Sequence, residues 1–316
     1  MVPEQTIPDA DMDANAHLDY HVPVLLKACM DGLNIKKDGV YVDCTFGGGG
    51  HSRAILEQLG AEGKLIVFDQ DAAALQNVPS DPRIVFVQQN FKHLKKFLRL
   101  HKHPQVDGIL ADLGVSSHQF DEAERGFSIR FDAELDMRMD HRQTLTAATI
   151  LEKYSEQELQ KMFEQYGEVT NAKTLARTIV AKRAVAPIKR IGQFKQAIHE
   201  VVMGNPNKYL AKVFQALRIT VNDEIGALES LLEQCVESVK PGGRIAIITF
   251  HSLEDRVVKN FFKTGSLLDI PADDVFGTRA ESPLKIISKK PIEADDTELK
   301  LNSRSRSAKL RIAEKK

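Results

Sequence analysis

The segment with the strongest chemical signature in this 316-residue chain is Asp43-Cys44-Thr45-Phe46-Gly47-Gly48-Gly49-Gly50-His51-Ser52. Four consecutive glycines remove every Cβ from a turn, so the backbone can approach a ligand closely. The segment follows an apolar run at 39–43 and precedes a short helical pattern at 52–59. Doubly wound sheets bind nucleotide-like ligands at such a strand–loop–helix junction. The spacing departs from the two common phosphate loops. Gly47 and Gly49 fit G-x-G-x-x-G, but Ser52 stands at the third glycine position, and no GK[ST] triplet follows. An acidic residue before the loop, Asp43, suits instead a ligand with a cationic amine, such as the methionine part of S-adenosylmethionine.

Three further residues support that ligand. Asp69 ends the second apolar run, where a carboxylate can accept both ribose hydroxyls. Asn90-Phe91 follows the third, and Phe91 offers a ring for an adenine. Asp112 ends the fourth, in Asp112-Leu113-Gly114-Val115-Ser116-Ser117. Methylating an exocyclic amine requires its lone pair to be freed from conjugation. A carboxylate accepting the N–H holds the nitrogen in line and stabilises the charge that develops on it. Asp112 can play that part, with the Leu113 carbonyl assisting. Methylation at carbon 5 of a pyrimidine would instead need a cysteine nucleophile. Cys44 lies in the glycine loop, and Cys29 and Cys235 lie on helical patterns, so that chemistry is disfavoured.

The elements that must position these groups are strands at 39–43, 64–68, 84–88, 108–111 and 244–249. Continuous apolar runs such as Leu65-Ile66-Val67-Phe68 suit a parallel sheet covered on both faces. Leu228, Leu231, Leu232, Cys235, Val236 and Val239 recur at helical spacing, and Pro241-Gly242-Gly243 then stops that helix and turns the chain into a strand. The stretch 116–215 is helical in pattern, with a capping box at Ser155–Glu158 and an apolar stripe of Phe194, Ile198, Val201 and Val202. It reads as a helical substrate-binding subdomain inserted after the fourth strand. The methyltransferase-type domain then comprises 20–115 and 216–316, with an edge strand at 308–312 and a disordered tail at 1–19.

Composition sets the outer bounds. Hydrophobic content is 42%, charged content 28% and formal net charge −1. No apolar run approaches the ~20 residues of a bilayer span. Residues 1–19 lack the basic start and apolar stretch of a secretory signal. The three cysteines form no CxxC or His/Cys cluster, so no metal is expected and a reducing, cytoplasmic setting is. Basic residues gather at 92–103, 182–190 and 304–316, where they could meet phosphates.

Together these segments resemble the small-subunit ribosomal RNA cytosine-N4 methyltransferases, the RsmH or MraW family. The resemblance runs through most of the chain after residue 20. It rests on His21-Val22-Pro23-Val24-Leu25-Leu26, the glycine loop, the Asp112–Ser117 segment, Glu124-Arg125-Gly126-Phe127-Ser128 and Leu135-Asp136-Met137-Arg138-Met139-Asp140. Phe214-Gln215-Ala216-Leu217-Arg218-Ile219, Phe250-His251-Ser252-Leu253-Glu254-Asp255-Arg256 and Arg304-Ser305-Arg306-Ser307-Ala308-Lys309-Leu310-Arg311 extend it. His118 stands where that family usually has proline, and Ala133-Glu134 where it has Gly-Pro.

The resemblance implies a Rossmann-like class I S-adenosylmethionine-dependent fold and N4-methylation of a cytosine in the decoding region of 16S rRNA. The small ribosomal subunit is then the partner, with the oligomeric state open and a dimer among the options. It carries cofactor contacts onto Gly49, Gly50, His51, Asp69, Phe91, Asp112 and Gln119. Arg125 and Arg138 are candidate RNA contacts. His251 is a base, an RNA contact or a hydrogen-bonded structural histidine. Asp136, Arg138 and Asp140 suit a salt-bridged wall of the substrate cleft. Two other readings stay open: an amine methyltransferase acting on DNA or another RNA, and an RNA-binding assembly factor with a vestigial pocket.

Overall fold

The computed structural model describes residues 23–268 and 281–316. The tail expected at 1–19 lies outside them, as do His21 and Val22. The strands are β1 (Val40–Asp43), β2 (Lys64–Phe68), β3 (Ile84–Val87), β4 (Val106–Asp112), β5 (Val239–Thr249), β6 (Leu284–Ile286) and β7 (Lys309–Lys315). The helices are α1 (Leu26–Leu33), α2 (Gly50–Gln58), α3 (Leu94–Leu100), α4 (Ser117–Asp121), α5 (Ala147–Lys153) and α6 (Glu156–Gly167). They continue as α7 (Ala172–Val185), α8 (Ile191–Ile198), α9 (Pro206–Asn222), α10 (Glu224–Ser238), α11 (Ser252–Thr264) and α12 (Asp296–Leu301).

The strands form one sheet in the order β3-β2-β1-β4-β5-β7-β6. The first five pair in parallel, whereas β7 runs antiparallel to both β5 and β6. All five apolar runs expected as strands are strands. Their unbroken apolarity follows from the two-sided burial. Leu65 and Val67 join the buried cluster of α1 and α2, while Ile66 and Phe68 join that of α3, α10 and α11. The strand order reverses between β1 and β4, which opens a crevice at their carboxyl ends. The glycine loop lies there.

Two expectations are corrected at the far side of the sheet. The strand at 308–312 is longer, and it is not the edge, because β6 pairs along its outer side. Pro241-Gly242-Gly243 does not precede β5 but lies inside it. Pairing with β4 is already under way at Val239 opposite Val106 and resumes at Arg244 opposite Gly108, so the extra residues bulge out. Gly242, at φ 76°, takes the left-handed conformation that the bulge needs.

Between β4 and α10 the chain builds a separate apolar core from residues between Phe127 and Val221, contributed largely by α5 to α9. The capping box of Ser155 and Glu158 starts α6 as expected. Phe194 and Ile198 are fully buried, with Val201 and Val202 packed beside them. Helix α9 runs unbroken through the boundary expected at 215 and ends at Asn222, and Asp223 in the left-handed region turns the chain into α10. This helical layer meets the sheet at the loops after β2 and β3. Met139 Sδ accepts from Gln70 Nε2 at 3.2 Å, and the Arg142 guanidinium donates to the Gln88 carbonyl at 3.2 Å. Both loops leave the carboxyl ends of their strands, so the layer sits over the crevice.

Candidate active site

The glycine loop is braced from beneath by Asp43. Its carboxylate accepts from the Thr45 N–H at 3.1 Å and from Ser52 Oγ at 2.6 Å, and the residue is 1% exposed. Asp43 is thus buried beneath the loop as its brace, and this placement gives no support to the expectation that it faces a cationic ligand. Gly47 and Gly49 both have positive φ, and Gly49 caps the start of α2. A Cβ on Gly49 would lie 2.9 Å from the Phe46 ring and one on Gly50 2.3 Å from Pro23, whereas one on Gly48 would meet nothing within 4 Å. The loop is thus packed tightly on its inner side and open at Gly48, the cradle that a close-approaching ligand requires.

Asp69, just past β2, accepts the Gly47 N–H and the Asp71 N–H, each at 2.8 Å. It therefore fixes the loop and keeps a second lone pair on each oxygen. Burial pushes its carboxyl up to about 6, against the lowering effect of those two hydrogen bonds. Asn90 caps the short turn that begins at Phe91 and ties it to Gln70 through a 2.9 Å bond. The Phe91 side chain is partly buried against the α3 and α10 side of the sheet.

Asp112 is the most unusual group of the site. Thr45 Oγ1 accepts its backbone N–H at 2.7 Å, which ties the end of β4 to the glycine loop. Among the described residues, its buried Oδ1 has no hydrogen-bond partner. Its Oδ2 lies 3.9 Å from His51 Nδ1, an ion-pair distance rather than a hydrogen bond. The other ring nitrogen, His51 Nε2, is 2.9 Å from the Val24 carbonyl, so His51 is clamped between the residues just before α1 and Asp112. Burial pushes Asp112 up to about 7; nearby His51 opposes this, and Asp43 and Glu254 add to it. A buried acceptor with no donor is costly in a folded chain.

Gln119 and Arg125 converge on a residue the motifs did not single out, Asp71. Gln119 completes a capping box with Ser116 at the start of α4, and its Nε2 donates to Asp71 Oδ2 at 2.9 Å. His118, at the position where proline is usual, leaves this turn intact. Arg125 donates to the same oxygen at 2.7 Å and to the Arg138 and Met139 carbonyls at 3.0 and 3.4 Å. Burial alone would push Asp71 up, but hydrogen bonds from Gln119, the Ala73 N–H and Arg125 hold it below its ordinary value. The only signal in the sequence was the D-x-D spacing of Asp69 and Asp71.

The expected RNA contacts are placed differently from the sequence reading. The Arg125 side chain is 10% exposed and turned inward, where its guanidinium ties the helical layer to Asp71. Arg138 grips Asp136 with two nitrogens, at 2.8 and 2.7 Å, and donates to the His141 and Gln143 carbonyls. Asp140 pairs with Arg142, not with Arg138. His251 caps α11, with Nδ1 accepting the Glu254 N–H at 3.4 Å and Nε2 3.1 Å from Glu254 Oε1, poorly aligned for a bond. Glu224, Glu254 and His251 bring one ligand-type atom each within 4.8 Å. Arg218, however, already holds both oxygens of Glu224, and the N-termini of α10 and α11 point at the cluster. That positive surrounding opposes a cation.

The fold is α/β, with a glycine-lined crevice at the β1/β4 switch point and the buried Asp112 carboxylate beside it. The chain belongs to the MraW methylase family, whose model matches residues 19–316. It is 53% identical over 300 residues to the Ribosomal RNA small subunit methyltransferase H of Bacteroides thetaiotaomicron, covering 95% of this chain and 98% of that one. The protein of the same name from Flavobacterium johnsoniae is 52% identical over 299 residues, covering 94% and 98%. Among solved structures, a putative rRNA-methylase from Clostridium thermocellum aligns over 93% of this chain and 99% of its own, at 12% identity and a TM-score of 0.43. The chain is accordingly a methyltransferase.

Proposed function

We propose that this methyltransferase modifies the N4 amine of a cytosine in the decoding region of 16S rRNA, within the small ribosomal subunit, using S-adenosylmethionine. The observation that carries the chemistry is the Oδ1 of Asp112 at the carboxyl end of β4, buried and without a partner among the described residues. The relatives' printed name supports the substrate, and the family resemblance implies the atom.

The crevice fits the cofactor on three counts: the open backbone at Gly48, the Asp69 carboxylate with free lone pairs, and the Phe91 ring beside Asn90. Gly49, Gly50 and His51 would shape the floor, and Gln119 would fix the α4 turn. S-adenosylmethionine supplies an electrophilic methyl on a sulfonium. The chain's own contribution lies with Asp112. As a carboxylate it accepts an N–H of the incoming amine, holds the nitrogen in one orientation and stabilises the positive charge that grows on it. With burial raising Asp112 to about 7, this acceptor is fully ionised only above neutrality. The base must leave its stack to reach so recessed a group, and the helical layer over the strand ends supplies the wall it enters against.

The experiment is mass spectrometry of 16S rRNA from cells lacking the gene, before and after adding purified protein and S-adenosylmethionine. Small subunits, free RNA and DNA are assayed in parallel. A single new N4-methylcytidine in the decoding region is expected. Methylation at another atom, or of DNA in preference, would overturn the reading.

A further inference from the structure

A groove of about 540 Å³ lies between α11 and the β6–β7 edge, lined among others by Lys259, Lys263, Lys289, Lys290 and Pro291. All four lysines are exposed, and among the described residues no carboxylate pairs with any of them. Arg311, which also lines the groove, is held by Asp255 at 2.6 and 3.0 Å and so adds no free charge. Among the described residues, no acidic side chain lines the groove. A second basic cavity, at the opposite ends of the strands near Val40, differs in this respect. There Glu237 holds Lys95 and Asp107 holds Lys240.

The sheet register fixes where the groove lies relative to the reacting carboxylate. Asp112 is level with Ile248, Ile248 with Leu310, and Leu310 with Ile292, the neighbour of Pro291. Three strand spacings separate the two, about 15 Å. Four like charges brought together at an exposed site repel one another, and the arrangement is relieved by a polyanion. The geometry points to this groove as a binding site for the phosphodiester backbone of the RNA that flanks the target base. The inference rests on the reading that structured RNA is the substrate. An RNA strand whose base enters the crevice at Asp112 passes its neighbouring phosphates over these lysines within a few nucleotides.

The test uses the full-length protein with Lys259→Ala/Lys263→Ala and Lys289→Ala/Lys290→Ala, separately and combined. Binding to small subunits and to 16S rRNA is read by filter retention across a salt series, with no methyl donor present. Each lysine lost lowers the slope of log affinity against log salt by about one. At fixed salt the combined variant binds at least tenfold more weakly and shows a raised KM with unchanged kcat. Its melting temperature and its affinity for S-adenosylmethionine stay at wild-type values. An unchanged slope and affinity would overturn the proposal, as would loss of binding to anionic lipid vesicles with RNA binding intact. A wild-type protein that binds RNA through the groove yet transfers no methyl would refute the reaction assigned above and leave the groove standing.

Discussion

Asp112→Asn keeps the shape of the side chain and removes its charge, and it should make the protein more stable and inactive at the same pH. The folded chain raises the Asp112 carboxyl from an ordinary 3.8 to about 7, chiefly by burial. At about 1.4 kcal/mol per unit, the ionised form costs the fold about 4 kcal/mol. With 23% of the side chain exposed, this figure is an upper bound. A raised acid binds more protons in the folded than in the unfolded state, so its contribution to stability falls as pH rises. The cost is absent below about pH 4, grows through the window from 4 to 7, and is complete above 7. Urea unfolding at intervals from pH 4 to 8.5 should find the variant and the parent equal at the acid end. The variant should pull ahead by up to about 4 kcal/mol at pH 8. The difference between the two chains isolates Asp112, since groups such as Asp69 titrate alike in both. Methyl transfer should run the opposite way. In the parent, kcat/KM climbs as pH rises through about 7, and in the variant it is lower by ~100-fold or more. A stability gap that does not change with pH, or a variant less stable than the parent at pH 8, would refute the assignment of a strained, unpartnered carboxylate.

Three further outcomes are expected. Asp69→Asn leaves the loop with one acceptor fewer, and calorimetric titration should find affinity for S-adenosylmethionine reduced by ~10-fold or more, with the melting temperature little changed. Gly126→Ala places a Cβ 2.4 Å from the Glu134 carbonyl oxygen at φ 75°; such overpacking against backbone should cost about 3 kcal/mol in urea unfolding. Arg125→Ala strands Asp71 without its charged partner and should cost about 3–5 kcal/mol. The KM for RNA, measured well below the lowered melting temperature, should stay within about twofold of the parent, whereas a direct RNA contact would raise it.

The sheet was legible in the sequence because each strand of its parallel half is apolar on both faces, a pattern no amphipathic helix copies. The failures lie at the antiparallel edge. Leu284-Lys285-Ile286 is three residues long with a lysine in the middle, too short to show a period, so β7 passed for the edge it is not. Pro241-Gly242-Gly243 reads as a stop in any local scheme. Only the pairing partners of Val239 and Arg244 reveal that the ladder continues on either side of it.

At the site, the positions of the carboxylates were legible and their duties were not. Asp43, Asp69 and Asp112 all follow from strand ends, yet what separates them is how deeply each is buried and which oxygens already have donors. Ser52, in the first turn of α2, donates to Asp43, while among the described residues none reaches Oδ1 of Asp112. Arg125 sits in a charged, outwardly polar motif, and the partner that draws it inside, Asp71, is 54 residues away. Sequence spacing carries no information about such a pair.

That pair also explains how the helical layer and the cofactor loop act as one body. Asp69 holds the Gly47 N–H, Gln70 meets Met139 and Asn90, and Asp71 receives Gln119 and Arg125. Three consecutive side chains thus join the glycine loop, the β3 turn and the inserted layer at one point. Asn222, at the end of α9, accepts the Met139 N–H at 2.8 Å and donates to the Met137 carbonyl at 2.8 Å, which fixes the same segment from the other side. A tilt of the layer therefore cannot leave the glycine loop unmoved, because the β2 turn would have to break buried hydrogen bonds to a charged group, each worth about 1.5–3 kcal/mol. The helical layer and the glycine loop keep their mutual distance for that reason, and Asp112, tied to the loop through Thr45, keeps it with them, as the proposed reaction requires.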